Sequence, residues 1–355
     1  MRVVATTLTG NNESIIADAL RSVVDWVDVC LVIDTGVTDR SLQVAREIAG
    51  DKYAERTLAW SNDFSSARNF ALDAARELGG TWAVTVDTDE RLQLEKASDG
   101  RPLIDVRAEL ARAQEGVLYV ADERKNYVKE RFFRLPMSER WSGPTHEAFA
   151  AYKVGFRTLT GITFSELGKP AEAYSRKFQR DVEVLRRHIE THPKDPRWHF
   201  YLGESHRNLR ENEQAIAAYD ACAALRGWDE ESAWACFRAA ECLCALERYE
   251  EALDRLCAGH ARHAGFAELT WLAGFVCYKL GRDVQAIYWA QLATVHGLFR
   301  GDGASIARIG FRDPVGLWEG PYDVLRWAHK RLGNAAAAAA AEQLWVEAKV
   351  ARERA

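Results

Sequence analysis

The chain has 355 residues, 48 % hydrophobic and 28 % charged, which suits a folded protein and is long for one domain, so two domains are expected. Its 47 basic residues against 52 acidic ones give a formal charge of −5, which excludes a general attraction to nucleic acid or to an anionic membrane surface. No apolar run reaches the roughly 18–20 residues of a spanning helix. The start, Met1 to Leu8, is too soon broken by Gly10-Asn11-Asn12-Glu13 to act as a secretory signal, so a cytoplasmic location is expected.

Strands and helices alternate up to about residue 165. Val3 to Leu8 is a short apolar strand candidate. Ser14 to Val24 has helical spacing, with Ile15, Ile16, Ala19, Leu20 and Val23 on one face. Val29 to Ile33 is a second strand, ending in Asp34-Thr35-Gly36, after which Asp39 caps a helix carrying Leu42, Val44, Ala45 and Ile48. Tyr53 to Leu58 is a weaker strand. Asp63 or Ser65 opens a helix with Ala67, Phe70, Ala71, Ala74 and Leu78, and Gly79-Gly80 stops it. Thr81 to Val86 follows as a buried strand and delivers Asp87-Thr88-Asp89 at its carboxyl end. A later strand is expected at Arg131 to Leu135. Repeated β-α units predict an α/β domain with a mostly parallel, Rossmann-like sheet and helices on both faces. The sheet lacks both a G-x-G-x-x-G after its first strand and a G-x-x-x-x-G-K-S/T loop, which argues against a dinucleotide oxidoreductase or a P-loop phosphotransferase.

Open α/β sheets bind ligands at the carboxyl ends of their strands. Asp87 and Asp89, one residue apart, repel each other unless a cation or hydrogen-bond donors share the site. Mg²⁺ and Mn²⁺ favour such oxygens and are shared with substrate phosphates. A metal ion holding a diphosphate leaving group is the chemistry of nucleotide-sugar transfer; a solvated acidic turn is the plainer reading of the same residues.

From about residue 176 the pattern becomes amphipathic helix throughout. Trp198, Trp234 and Trp271 each open a helix, at spacings of 36 and 37 residues. Each is followed by a break (Leu209, Leu246, Leu280) and a second helix with a small residue at a matching place, Ala215, Ala252 and Ala286. A fourth, divergent unit carries Leu325, Leu332-Gly333 and Ala338, after a glycine-rich insertion at about 297–320 that reads as a loop near a binding face or a domain junction. The alanines from Ala335 to Ala341 form helix strongly and suggest a packed face. Such repeats serve as a scaffold or dimerisation surface, or as a groove for a peptide or protein. Six of the seven cysteines lie in this half without paired CxxC spacing, which reads as buried free thiols.

Asn11-Asn12-Glu13, Val32 to Asp39, Trp60 to Asn69, Asp87 to Glu90 and Gly143-Pro144-Thr145-His146-Glu147 occur in the order found in family 2 glycosyltransferases of the GT-A fold. Residues 3–92 resemble that family most closely. The subgroup they resemble carries C-terminal tetratricopeptide repeats and includes bacterial enzymes that glycosylate peptides, such as the S-glycosyltransferases of glycocins. The resemblance implies a GT-A domain over 1–170 and a repeat domain over 171–355. It implies an inverting transfer of a hexose from a nucleotide-diphosphate sugar, with uridine as the expected base, to a Ser, Thr or Cys side chain of a peptide or protein. Extension of a glycan or surface saccharide is the alternative acceptor chemistry. A non-catalytic repeat scaffold with a relic nucleotide site is the alternative class.

Asn12, Glu13, Asp34 and Gly36 are expected to line the base and ribose pocket. Arg68 and Asn69 are expected near the diphosphate, where a planar guanidinium donates two parallel bonds. Asp89 is the expected direct ligand of Mg²⁺ or Mn²⁺, with Asp87 on ribose or metal, Thr88 between them and Glu90 tuning either. Glu147 is the candidate base that takes the acceptor's proton, with His146 as metal ligand or second candidate. Trp141 is placed to stack on a sugar or pack in the core. The family's further metal-binding His is missing from Gly161 to Gly168, where Glu166 is the stand-in candidate. Lys169, Arg176, Lys177 and Arg180 are further basic candidates for the diphosphate or for linker surface. A homodimer through the repeats is the expected assembly.

Overall fold

In the computed structural model, residues 1–125, 127–168, 170–301 and 312–355 are described. They fall into two compact units, Met1–Pro170 and Ala171–Ala355.

The first unit holds β1 (Val3–Thr9), α1 (Ile16–Arg21), β2 (Val29–Asp34), α2 (Ser41–Ala49), β3 (Tyr53–Thr57), α3 (Phe64–Glu77) and β4 (Trp82–Thr85). These are followed by β5 (Glu90–Leu94), α4 (Val106–Arg112), β6 (Val117–Asp122), β7 (Val128–Arg134), β8 (Trp141–Ser142), β9 (Ala148–Phe149) and β10 (Phe156–Glu166). Eight strands form one sheet in the order β3-β2-β1-β4-β7-β6-β10-β5. The first four run parallel, as expected. Beyond β4 the sheet becomes mixed, because β7 pairs antiparallel with both β4 and β6, and β5 antiparallel with β10. The return strands are hairpin-like and polar at one end, so their period was weaker in the sequence than that of the buried parallel strands.

Alternation along the strands splits the core in two. Val3, Ala5, Cys30, Val32 and Val84 pack on Ile16, Leu20 and Ala45, while Val4, Leu31, Ile33 and Ala83 pack on Ala71, Leu72 and Ala75 of α3. Helices therefore cover both faces, and strand ends are the accessible part of the sheet. The first helix is shorter than its periodicity suggested, since the chain after Arg21 turns to deliver Val23 and Val27 to the core.

The second unit is all helical: α5 (Ala171–Thr191), α6 (Pro196–Asn208), α7 (Asn212–Leu225), α8 (Asp229–Ala245), α9 (Tyr249–Arg262), α10 (Ala267–Lys279), α11 (Asp283–His296), α12 (Pro314–Leu317), α13 (Gly320–Arg331) and α14 (Ala335–Arg354). Helices α6–α7, α8–α9, α10–α11 and α13–α14 pack as antiparallel-type pairs, so the fourth unit is a true pair despite its divergent sequence. The small residues do what their spacing suggested: Ala215, Ala252 and Ala286 are fully buried, and a Cβ on Gly203 would come within 2.6 Å of the Tyr219 ring. The alanine run differs from expectation, because only Ala341 of it is buried; its contribution is helix propensity. Residues 302–311 of the insertion, which include Gly303 and Gly310, lie outside the described residues, as does Lys169. All seven cysteines are unpaired and only Cys257 is exposed.

Candidate active site

Local sequence fixes the three segments that meet at the carboxyl edge of β4. Asp63 caps α3, its Oδ1 accepting from the Ser66 N–H at 2.9 Å, and this decides between the two candidate caps. Gly80 stops the chain between α3 and β4 where any Cβ would strike the Ala75 carbonyl at 2.6 Å. After β4, Val86 donates to Thr6 and stays buried, so Asp87 is the first residue to leave the sheet. The third segment is the turn between β8 and β9. Gly143 has φ +95°, and the Pro144 carbonyl accepts from Phe64 N–H at 2.9 Å, tying the turn to the start of α3. His146 has φ +51°, a left-handed conformation held by the surrounding turn, and this swings Glu147 toward α3.

Arg68 joins all three. Its Nη1 and Nη2 donate to the two oxygens of Asp87 at 3.1 Å each, and its Nε donates to Glu147 Oε1 at 2.5 Å. The three side chains are 12 %, 26 % and 14 % exposed, so the pairing is largely shielded from water. Burial works to raise the Asp87 carboxyl, but the Arg68 and Arg131 charges outweigh it and hold Asp87 far below the ordinary carboxylate range. Burial likewise opposes the charge on Arg68, and Asp87 and Glu147 more than restore it, raising its pKa.

A second ion network adjoins the first. Arg131 binds the buried Glu90 and lies 3.8 Å from Asp87. Lys129 reaches Glu90 at 2.9 Å and also binds Glu166, whose Oε2 accepts from the Tyr127 hydroxyl at 2.8 Å. Burial pushes Glu90 up, and the Asp87 charge adds to this against the pull of Arg131 and Lys129. Burial also works to raise Glu166, but bonds from Lys129 and Tyr127 prevail and lower it.

The expected site residues divide accordingly. Arg68, Asp87 and Glu147 come together, with Thr88, Asp89 and His146 beside them in the same two turns. Asp34 closes its own turn, Oδ1 accepting from Gly36 and Val37 at 2.8 Å each, and Gly36 needs its φ of +108° there. Asn12 and Glu13 clasp the start of α2: Asn12 N–H donates to Ser41 and Glu13 Oε2 accepts from Arg40 N–H. Asn69 exchanges two 3.0 Å bonds with the Trp141 backbone. Trp141 is 7 % exposed and packs between Phe133 and Phe149, with Arg68 over its ring at 5.4 Å; it is a core residue, not a sugar platform. Glu166 is committed to Lys129 and Tyr127, not standing in for a metal-binding His. Lys177 and Arg180 pair with Asp181 in the second unit. Sequence reasoning missed Lys129 and Arg131. Their signal was two cations two residues apart on one face of a strand beside the acidic turn.

The donor set bears on a metal ion in two ways. Asp87 gives both oxygens to Arg68, so it is not a preformed ligand, and among the described residues no group of three His, Cys, Asp or Glu side chains is placed to cage an ion. Among the described residues Asp87, Glu90, Glu147 and Glu166 pair with Arg68, Lys129 and Arg131. An anionic diphosphate would bring further negative charge to this acidic turn, and a divalent ion arriving with it would take one or two carboxylates.

The fold is a mixed-sheet α/β unit with a charged site at its strand ends, and a unit of helix-pair repeats. The N-terminal unit contains a segment matching a glycosyltransferase family, and the second unit resembles tetratricopeptide-repeat proteins. Residues 6–100 match the family described as glycosyl transferase family 2. Among curated proteins, a TPR repeat-containing protein of Synechococcus elongatus is 37 % identical over 128 residues, 36 % of this chain and 30 % of that protein. The SPbeta prophage-derived glycosyltransferase SunS of Bacillus subtilis is 27 % identical over 223 residues, 58 % of this chain and 49 % of that protein. The match thus spans at most about half the length of these relatives. Among solved structures, a crystal structure of MamA covers 53 % of this chain at 14 % identity, with a TM-score of 0.41. Among the described residues no helix is long and apolar enough to cross a membrane.

Proposed function

We propose that the protein transfers a hexose from a nucleotide-diphosphate sugar, with UDP as the nucleotide, to a Ser, Thr or Cys side chain of a peptide or protein, inverting the anomeric carbon. The observation that carries this reading is the convergence of Arg68, Asp87 and Glu147 at the carboxyl edge of β4, beside Asp89. Asp34 and Gly36, with Asn12 and Glu13, form the wall for the base and ribose. Asp87 aims the Arg68 guanidinium, which is suited to the diphosphate. Asp89 and His146 would hold a divalent cation, which supplies neutralisation of the departing diphosphate. Glu147, oriented through Oε1 by Arg68, takes the proton of the attacking hydroxyl or thiol. The repeats offer a surface for the polypeptide acceptor. Seven unpaired thiols suit a reducing, cytoplasmic setting.

The test is a thermal-shift panel of nucleotide sugars with and without Mn²⁺, followed by intact-mass analysis of peptides incubated with the donor that binds. A mass gain of one hexose on a Ser, Thr or Cys supports the proposal. Transfer to saccharides alone would reassign the acceptor, and no binding of any nucleotide would favour a scaffold.

A further inference from the structure

Beside the acidic turn lies an exposed aromatic ring that the proposed mechanism does not use. β7 runs antiparallel to β4 with Trp82 opposite Arg134 and Val84 opposite Phe132. Past that pairing the chain turns, Glu90 N–H donating to the Asp87 carbonyl at 2.9 Å, and Lys129 of β7 reaches the Glu90 carboxylate at 2.9 Å. The end of β10 confirms the neighbourhood, because Leu167 N–H donates to the Asp89 carbonyl at 2.8 Å and the preceding residue, Glu166, holds the Tyr127 hydroxyl.

Tyr127 is fixed at several points. Its N–H donates to Asp122 Oδ1 at 2.9 Å, and its ring meets Phe164 edge-on at 5.5 Å. Yet the residue is 44 % exposed. A rigid phenol face flanked by a carboxylate and an ammonium group is suited to a pyranose. The C–H face of the sugar lies on the ring, and its hydroxyls bond to Glu166 and Lys129.

We infer that Tyr127, with Glu166 and Lys129, forms the subsite for the hexose of the donor and determines which sugar is accepted. The assignment to the donor sugar follows from the end of β10, which bonds the Asp89 backbone through Leu167 and the Tyr127 hydroxyl through Glu166, since a hexose is attached directly to the diphosphate that Asp89 would face. This inference rests on the transferase reading.

The test uses calorimetric binding of UDP, UDP-glucose, UDP-galactose and UDP-N-acetylglucosamine to the full chain in Mn²⁺ buffer. Wild type should bind one sugar nucleotide about 10-fold more tightly than UDP. Tyr127→Ala should keep its affinity for UDP and its melting temperature but lose that preference. Tyr127→Phe, which retains the ring, should keep most of it. A Tyr127→Ala protein with the preference intact would overturn the subsite alone, as would a wild type that binds UDP and every UDP-sugar equally. A wild type that binds no nucleotide would overturn the transferase reading, and the subsite with it.

Discussion

Replacing Arg68 by Ala removes a side chain that hydrogen-bonds both Asp87 and Glu147. Two shielded carboxylates then face each other with less compensation. Stripping one partner from a buried pair costs about 3–5 kcal/mol. Asp87 retains Arg131 at 3.8 Å and is 26 % exposed, which moderates the loss to about 2–3 kcal/mol. For a unit of this size that is a fall of roughly 4–12 °C in melting temperature. The pH dependence has a definite sign. In the wild type Asp87 titrates far below its unfolded value, so its stabilisation is present above about pH 4 and fades as pH falls toward the folded value. Without Arg68 that stabilisation is reduced at neutral pH and has little left to lose in acid. The gap between the two proteins should therefore be widest near pH 7 and narrow below about pH 4. Urea melts at pH 7 and about pH 3, following the transition of the first unit, give the comparison. The double variant Arg68→Met with Asp87→Asn should recover part of the loss, because the stranded charge is gone. A gap under about 0.5 kcal/mol at pH 7, or one that widens in acid, would refute the ion-pair account.

Three further outcomes are expected. Asp89→Ala should lower donor turnover by at least about 100-fold while leaving the circular dichroism spectrum unchanged, and equal turnover would remove Asp89 from the reaction. Gly203→Val should destabilise the repeat unit by more than about 1–3 kcal/mol, since its Cβ would lie 2.6 Å from the Tyr219 ring; an unshifted helical melt would contradict that packing. In native protein a disulfide reagent should modify Cys257 first, because burial pushes thiols such as Cys30 and Cys236 up to about 11, and all seven should react in urea. Mass mapping of the first labelled peptide to a buried cysteine would count against this arrangement.

The sequence by itself determined the parallel strands β1–β4, the helix pairs and the acidic turn. These follow from local information: a period of two in buried strands, a period near 3.6 in helices, caps such as Asp63, and a small residue repeated at fixed spacing. Trp141 could be read from sequence as platform or core with equal reason, because an aromatic side chain serves both; only its place between Phe133 and Phe149 decides. Likewise the bond of the Asn69 amide to a backbone carbonyl 72 residues away could not be read from the chain. The pairing of Arg68 with Asp87 and Glu147 spans 19 and 79 residues, and that of Arg131 with Glu90 spans 41. Charge complementarity between such positions leaves no periodic trace in the chain. It exists only once the sheet order sets β7 beside β4 and the β8–β9 turn over α3, and tertiary structure alone fixes that order.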